Sequence, residues 1–162
     1  GVLISDRVAG PVMERAGEFF HGYTYSGHPA ACAAGLANLR ILREERLVER
    51  VDEDIGPYLQ AAWARLAEHP LVGEARMTGL VGAAEIVRDK ANRERFLAGF
   101  AAGNRCRDHA VGHGLVMRAV GDTMIISPPL IISREECDLL VQHAWAAFDR
   151  LAADASAEGL VA

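Results

Sequence analysis

Residues 115–136 read LVMRAVGDTMIISPPLIISREE, and this stretch decides the fold that the sequence predicts. Two apolar runs, Leu115–Val120 and Thr123–Ser127, flank a Gly-Asp dipeptide that is typical of a two-residue hairpin loop. A loop of that length places Arg118 opposite Ile125. The sequence therefore predicts an antiparallel hairpin that carries a charged side chain in the middle of an apolar strand.

Helical and strand patterns follow one another along the rest of the chain. The capping box Ser133-Arg-Glu-Glu136 predicts a helix that starts at Arg134, and Gly56-Pro57 predicts a break before an amphipathic helix. The other predicted elements are a buried strand over Gly1–Ser5, helices over Arg7–Ala16, Ala30–Arg43 and Arg93–Gly112, two strands within Val72–Val87, and a weakly patterned tail over Ala152–Ala162. This order is typical of a mixed α/β chain that ends in a smaller α+β unit.

Length and composition limit the classes of protein to consider. The chain has 162 residues, 51% of them hydrophobic and 24% charged, as expected for a globular protein of one domain or one and a half. The net charge of −5 argues against a nucleic-acid or anionic-membrane partner, since both need a basic surface. Three widely spaced cysteines favour reduced thiols in a cytoplasmic protein. Of the 17 basic residues only Lys90 is a lysine, so lysine chemistry must use Lys90 or a residue outside this chain.

A glycine-bounded segment with two hydroxyl side chains is the first candidate site. Residues 21–27 read HGYTYSG and run into a helix that starts at Pro29. Backbone N–H groups are free at a helix start, and the helix dipole favours negative charge there, so the segment suits an anion. The alternative from these residues alone is that Thr24 and Ser26 cap the turn, which is the commoner role of such side chains.

Arg118 is the second candidate, because a charge within an apolar strand is costly unless it is paired. Its guanidinium suits bidentate capture of a carboxylate or a phosphate. The alternatives are a structural ion pair with a nearby acidic side chain and simple exposure on the outer face of a strand.

Metal and lysine chemistry have less support. Cys106, His109 and His113 share a predicted helix, and the two histidines have the i, i+4 spacing that can hold zinc. The glutamate of an HExxH motif is missing, so solvated side chains are expected and no metal is predicted. Lys90 lies in the charged segment Arg88–Asn92, where we expect it to be a surface residue rather than an activated amine.

Two long motifs resemble the same enzyme family. Phe20–Leu39, which reads FHGYTYSGHPAACAAGLANL, closely resembles a segment of the class III, or omega-type, aminotransferases. Gly114–Asp122 and Ile125–Ser133 resemble the C-terminal domain of that family, at the expected separation. The opening Gly1–Val8 resembles the strand that follows the family's catalytic-lysine loop. The resemblance therefore covers nearly the whole chain.

The resemblance implies both a fold and a reaction. These enzymes have fold type I, so the chain is expected to be the C-terminal portion of a pyridoxal-phosphate-dependent transferase with an α/β fold. Residues 1–44 would be a remnant of the large cofactor-binding domain, and residues 45–162 would be the small C-terminal domain. The implied reaction is transamination between an amine or amino acid and an oxo acid, of the omega-amino acid:pyruvate type. The implied cofactor is pyridoxal 5'-phosphate, and the implied assembly is a homodimer with shared active sites.

The resemblance also assigns roles to single residues. Thr24 matches the threonine that binds the cofactor phosphate of the neighbouring subunit. Tyr23 matches the aromatic residue that lines the cofactor and substrate pocket across the interface, and Arg118 matches the arginine that binds the substrate carboxylate. Lys90 does not match the catalytic lysine, which in this family lies before the segment that resembles Gly1–Val8. We therefore expect no catalytic residue in this chain and no transamination by the chain alone.

Two alternatives remain at this point. One is a non-enzymatic binding or dimerisation module derived from the C-terminal domain. The other is a different activity of the same family, such as that of an aminomutase or a decarboxylase. The sequence leaves the amino donor and the oxo acid open.

Overall fold

The computed structural model describes residues 3–16 and 22–161. The chain divides into two units, Gly1–Ile41 and Leu42–Ala162. The predicted division into residues 1–44 and 45–162, with the first part assigned to a large cofactor-binding domain, stays a prediction. No helix among the described residues is long and apolar enough to cross a membrane. The expected cytoplasmic location also stays a prediction.

The first unit contains helix α1 and most of helix α2. Helix α1 spans Asp6–Ala16, one residue longer at its start than predicted, because the Ser5 carbonyl already accepts the first helical hydrogen bonds. Helix α2 spans Pro29–Glu44 and begins at the proline, whose missing N–H needs no partner in the first turn of a helix. Both predicted helices are thus confirmed to within one residue at each described end.

The predicted strand at the start of the chain is wrong over the described residues Leu3–Ser5. This segment has no regular structure, and Leu3 and Ile4 are exposed. A strand needs a hydrogen-bonded neighbour, and none of the strands among the described residues pairs with this segment. Gly1 and Val2 lie outside the described residues.

The second unit alternates helical segments with short strands. It begins with α3 (Leu47–Arg50), a π-helical turn (Val51–Ile55), α4 (Gly56–Ala64) and a 3-10 turn (Arg65–Glu68). There follow β1 (Val72–Thr78), β2 (Val81–Ile86), a second 3-10 turn (Ala98–Phe100), α5 (Ala102–Gly112), β3 (Arg118–Val120), β4 (Thr123–Ile126) and α6 (Arg134–Ala157).

The four strands form one antiparallel sheet in the order β1-β2-β4-β3. The predicted hairpin is confirmed, with Arg118 opposite Ile125 and the two-residue turn between β3 and β4. Ile125 in turn faces Ala83 of β2, and Ala83 faces Arg76 of β1. These four side chains form one row across the sheet, with an arginine at each edge.

One face of the sheet carries the core. Helices α4 and α5 pack against the sheet, and α6 packs against both helices. Trp63 of α4 is fully buried, and its indole Nε1 donates to the Ala83 carbonyl at 3.1 Å. The predicted capping box at Ser133 is confirmed, and α6 packs on the core through one apolar stripe. The buried members of that stripe are Leu140, Ala144, Ala147, Phe148 and Leu151.

The predicted break at Gly56-Pro57 is wrong, because helix continues through it. Pro57 cannot donate a backbone hydrogen bond, and the chain accommodates it directly after the wider π-helical turn. A Cβ at Gly56 would lie 2.2 Å from the Val51 carbonyl oxygen, so this tight passage admits only glycine. At this dipeptide the chain passes from π-helical to α-helical geometry, and the helix does not end.

Two further boundaries differ from the prediction. Of the predicted helix over Arg93–Gly112, only residues 102–112 form an α-helix, because Glu94 bonds back to the Asp89 backbone and Arg93 has a φ of 53°. The tail over Ala152–Ala162, which is weakly patterned in the sequence, is helical as far as Ala157, where α6 ends. Burial of Ala155 in the core holds this part of the helix in place.

Candidate functional site

The turn before α2 is closed by its own short-range hydrogen bonds. Tyr23 N donates to Ser26 Oγ at 3.0 Å, and Ser26 N donates back to the Tyr23 carbonyl at 2.9 Å. His28 N then donates to the Tyr25 carbonyl at 3.1 Å. Gly27 has a φ of 74°, a value that glycine adopts without strain. These contacts fix the path of the chain from residue 22 into the helix.

Within this turn the two hydroxyl side chains have different environments. Ser26 uses its oxygen inside the turn, as the capping alternative requires. Thr24 lies next to it and is exposed, and its hydroxyl makes no hydrogen bond to any residue that the structure describes. The capping role therefore holds for Ser26, while the Thr24 hydroxyl is exposed and takes no part in the hydrogen bonds that close the turn.

The electrostatic surroundings of Thr24 suit a phosphate. The whole segment from residue 19 to residue 39 contains no Asp, Glu, Lys or Arg, so no carboxylate within it repels an anion. Cys32 N makes the first helical bond, to the His28 carbonyl at 3.0 Å, which leaves Ala30 N and Ala31 N without a helical acceptor. Unpaired N–H groups at a helix start suit a phosphate group.

Two tyrosines flank Thr24 with their rings turned outward. Tyr23 is 81% exposed and Tyr25 is 78% exposed. The Tyr25 ring packs edge-on against the His28 ring, with 6.0 Å between the centroids. An exposed ring at Tyr23 can line the pocket of a neighbouring molecule, as the resemblance implies. His21 and Phe20, the first residues of the matching motif, lie outside the described residues.

Arg118 projects from the exposed side of β3, which is an edge strand of the sheet. Its guanidinium has no ion pair or hydrogen bond to any residue that the structure describes. Other arginines of the second unit are paired, for example Arg88 with Glu94 at 2.6 Å and Arg105 with Glu158 at 2.8 Å. The alternative of a structural ion pair is therefore absent over the described residues, whereas the alternative of exposure on the outer face of a strand agrees with the structure. Arg118 belongs to the second unit, and Tyr23 and Thr24 belong to the first.

Lys90 is exposed and is held by backbone carbonyl groups. Its Nζ donates to the Ala67 carbonyl, and the His69 carbonyl lies 3.4 Å away. A lysine that reacts with a carbonyl group needs a desolvated or cationic pocket, and these exposed contacts do not provide one. The expectation of a surface lysine agrees with its exposure.

The sequence candidates for a metal site do not converge. No group of three or more His, Cys, Asp and Glu side chains that could hold a metal occurs among the described residues. His109 Nε2 lies 2.7 Å from Asp154 Oδ2, so its ring pairs with α6. Cys106 is fully buried, and burial raises its pKa to about 12, so its thiol is not a nucleophile. His113 is exposed.

Sequence reasoning missed a buried histidine, His69, which joins the turn before β1 to α6. Its Nδ1 accepts a hydrogen bond from Leu71 N at 3.1 Å, so the ring proton is on Nε2, which lies 3.3 Å from Asp149 Oδ1. The ring packs against Trp145 and Phe148. Burial lowers the pKa of His69, although Asp149 raises it in part. Neither His69 nor its neighbour Pro70 shows this role in the sequence, because the α6 residues that contact the ring are distant in sequence.

Comparison with known families gives a match over most of the chain. The sequence model of the class-III aminotransferases matches residues 5–148. The chain is 52% identical over 153 residues to a putrescine–pyruvate aminotransferase from Pseudomonas aeruginosa, covering 94% of this chain and 33% of that protein. It is 38% identical to a diaminobutyrate–2-oxoglutarate transaminase from Halomonas elongata, covering 99% of this chain and 35% of that protein.

Solved structures give the same fold. An (S)-enantioselective omega-transaminase from Thermomicrobium roseum superposes with a TM-score of 0.81 at 42% identity, over 91% of this chain and 33% of that one. The PMP-bound form of an aminotransferase from Vibrio fluvialis superposes with a TM-score of 0.80 at 30% identity, over 91% and 32%. The mixed α/β fold is thus that of part of these transaminases. The chain spans about a third of the length of the relatives it matches.

Proposed function

The chain belongs to the class III aminotransferases, and on that premise we propose that the protein transfers an amino group between an amine or amino acid and an oxo acid. The observation that carries the proposal is the extent of the family match, which includes both the Thr24 turn and the Arg118 hairpin. The proposed cofactor is pyridoxal 5'-phosphate, the cofactor of this family. When bound, it withdraws electrons from the carbon that bears the transferred amino group.

The proposed amino acceptor is a small oxo acid of the pyruvate type. The 52% identity to a putrescine–pyruvate aminotransferase supports an amine donor and this acceptor. In the protein itself, Arg118 supports the proposal, because an exposed guanidinium without a partner among the described residues can bind a carboxylate through two parallel hydrogen bonds. A plain amine makes no such contact, so Arg118 would act on only one half of the reaction.

Thr24 and Tyr23 are proposed to act at the cofactor. The Thr24 hydroxyl would donate to a phosphate oxygen, with N–H groups at the start of α2 as further donors. The exposed Tyr23 ring would line the pocket beside it and restrict the access of water. Both residues are proposed to serve the site of the partner subunit in a homodimer. Their outward orientation supports this, as does α2, whose sixteen residues are all described and none buried.

The catalytic lysine is proposed to lie outside these 162 residues. Lys90 is the one lysine of the sequence, and carbonyl groups already bind its amine on an exposed surface. The proposed roles of this chain are therefore to hold the phosphate, to shape the pocket and to bind the substrate carboxylate.

The test is a transamination assay of the purified holoenzyme with putrescine as donor and pyruvate as acceptor. We expect alanine to form only when both substrates and pyridoxal phosphate are present. No alanine above a control without cofactor, for any of a panel of amines, would contradict the proposal. Release of carbon dioxide, or an isomerised product without an oxo acid, would point to a decarboxylase or an aminomutase. Cofactor binding without any turnover would favour the binding module.

A further inference from the structure

The turn that joins β3 to β4 is fixed to two other elements of the second unit. The Asp122 carboxylate accepts a hydrogen bond from Gly103 N in the first turn of α5, at 3.1 Å. The Asp122 carbonyl accepts a second bond, from Ile86 N at the end of β2, at 2.8 Å. Ala101, which precedes α5, provides no side-chain cap, so Asp122 takes over that task from a distant part of the chain.

Gly103 also allows a close backbone approach at the same place. A Cβ on Gly103 would lie 1.9 Å from the Gly121 carbonyl oxygen and 3.0 Å from its carbonyl carbon. Both atoms belong to backbone, so a side chain at position 103 forces the turn and the helix apart by about 1 Å or more. The hydrogen bond from Gly103 N to Asp122 would lengthen with them.

Arg118 depends on this turn for its position. Strand β3 is an edge strand with three paired residues, and it has β4 as its only neighbour in the described sheet. Arg118 lies three residues before the turn glycine, which corresponds to about 10 Å of extended chain. The guanidinium has no partner among the described residues. The backbone of the hairpin therefore determines the position from which the Arg118 side chain extends.

We propose that Gly103 and Asp122 are positioning residues for carboxylate binding, because they fix the hairpin that carries Arg118 onto α5. This inference rests on the proposed role of Arg118. It adds that the geometry of the acceptor site is determined where α5 meets the turn, at residues that do not touch the substrate.

The first test compares Gly103→Ala with Gly112→Ala in the holoenzyme. Both glycines lie in α5, and a Cβ at Gly112 meets nothing within 4 Å, so that variant is a matched control for the added methyl group. We expect Gly103→Ala to lower kcat/KM for pyruvate by roughly ten- to a hundredfold, mainly through KM, since displacements of about 1 Å have effects of this size. The half-reaction with a plain amine should change by less than about threefold. Gly112→Ala should leave both half-reactions unchanged.

The second test removes the hydrogen bond without adding atoms. Asp122→Ala should shift the ratio of the pyruvate to the amine half-reaction in the same direction as Gly103→Ala. Asp122→Asn keeps an oxygen acceptor and should restore much of that ratio. Circular dichroism and the thermal midpoint will show whether Gly103→Ala folds. If it does not fold, the two Asp122 variants test the proposal in its place.

The third test combines Gly103→Ala with Arg118→Ala. If Gly103 acts through Arg118, the double variant should lose no more pyruvate activity than Arg118→Ala alone. Losses that simply multiply would overturn the inference, as would an unchanged substrate ratio in Asp122→Ala. If the proposed role of Arg118 is wrong, Arg118→Ala itself will reduce both half-reactions equally. That result would also overturn the inference about Gly103 and Asp122.

Discussion

The two candidate site elements are held in place by different means. The turn that contains Thr24 closes on itself through hydrogen bonds between residues three positions apart, and the helix behind it buries none of its residues, all of which are described. The hairpin that presents Arg118 is bonded to α5 and to the end of β2, and its neighbours belong to the core. One element needs only local order, whereas the other needs a folded unit.

This difference matches what each element is proposed to recognise. A phosphate bound by a hydroxyl and backbone N–H groups needs a short, well-shaped segment, and local bonds provide it. An arginine has a long side chain, so its guanidinium reaches a defined place only if its backbone is fixed.

The largest effect is expected from the same substitution made in the two units of the chain. Leu59 of α4 is fully buried, whereas Leu36 of α2 is 64% exposed. Leu59→Ala should lower the free energy of unfolding by about 2–5 kcal/mol, because it leaves a cavity in the core. At protein concentrations low enough for the chain to be monomeric, Leu36→Ala should change it by about 0.5 kcal/mol or less. Urea denaturation of the purified chain measures both.

A large loss of unfolding free energy in Leu36→Ala would contradict the expected difference between the two units. It would show that the exposed face of α2 is covered in solution, for example by a second copy of the chain. Repeating the measurement over a range of protein concentrations separates that case, because stability from association rises with concentration.

The same contrast decides what the sequence could predict. The hairpin register, the capping box at Ser133 and the helix at Pro29 depend on residues close together in sequence, and all three predictions are confirmed. The prediction was wrong for the strand over Leu3–Ser5, which has no pairing partner in the described sheet. It was also wrong at Gly56 and Arg93, where a π-helical turn and a positive φ depart from regular geometry without a periodic side-chain pattern that would show it. In the site, Thr24 and Arg118 carry a visible motif. Gly103 and Asp122 meet only in the folded chain, so no local pattern could show their role.

The second largest effect is expected for Arg118→Ala in the holoenzyme. Hydrogen bonds to charged groups contribute about 1.5–3 kcal/mol, so kcat/KM for pyruvate should fall by roughly ten- to a hundredfold or more. A plain amine should lose little, and Arg118→Lys should restore only part of the activity, because an ammonium group lacks the planar fork. The half-reactions must be measured separately. Arg150→Ala, at an exposed position on α6, is the control, and equal losses in both half-reactions would make Arg118 a structural residue.

The third effect concerns cofactor retention and tests the local element. Thr24→Ala removes one donor to a dianionic phosphate, so the dissociation constant of pyridoxal phosphate should rise by about tenfold or more. Thr24→Ser keeps the hydroxyl and should retain the cofactor. Release of cofactor during dialysis is the measurement. An unchanged dissociation constant in a correctly folded holoenzyme would remove Thr24 from the phosphate site.

A smaller effect is expected from the protonation of His69. Because its folded pKa is lowered from 6.5, the unfolded chain binds the proton more readily, and stability should fall as the pH drops below about 6.5. The charged groups that face the ring are Asp149 of α6 and Lys90. The urea midpoint at about pH 5.5 and about pH 7.5 measures the loss, which His69→Gln should reduce. His113→Gln, at an exposed position, should leave the difference as it is.

The smallest effect is expected at Lys90, where pyridoxal phosphate should leave almost no trace. The Lys90 amine is exposed and already donates to backbone carbonyl groups, so it lacks the desolvated pocket that an efficient amine nucleophile needs. We expect borohydride treatment of the purified chain with pyridoxal phosphate to give only weak labelling in peptide mass maps. Lys90→Arg, which keeps a donor to the same carbonyls but has no amine to label, is the control for background labelling. Stoichiometric label on Lys90 would contradict this expectation, and it would mean that the second unit builds an amine site that its exposed surface does not reveal.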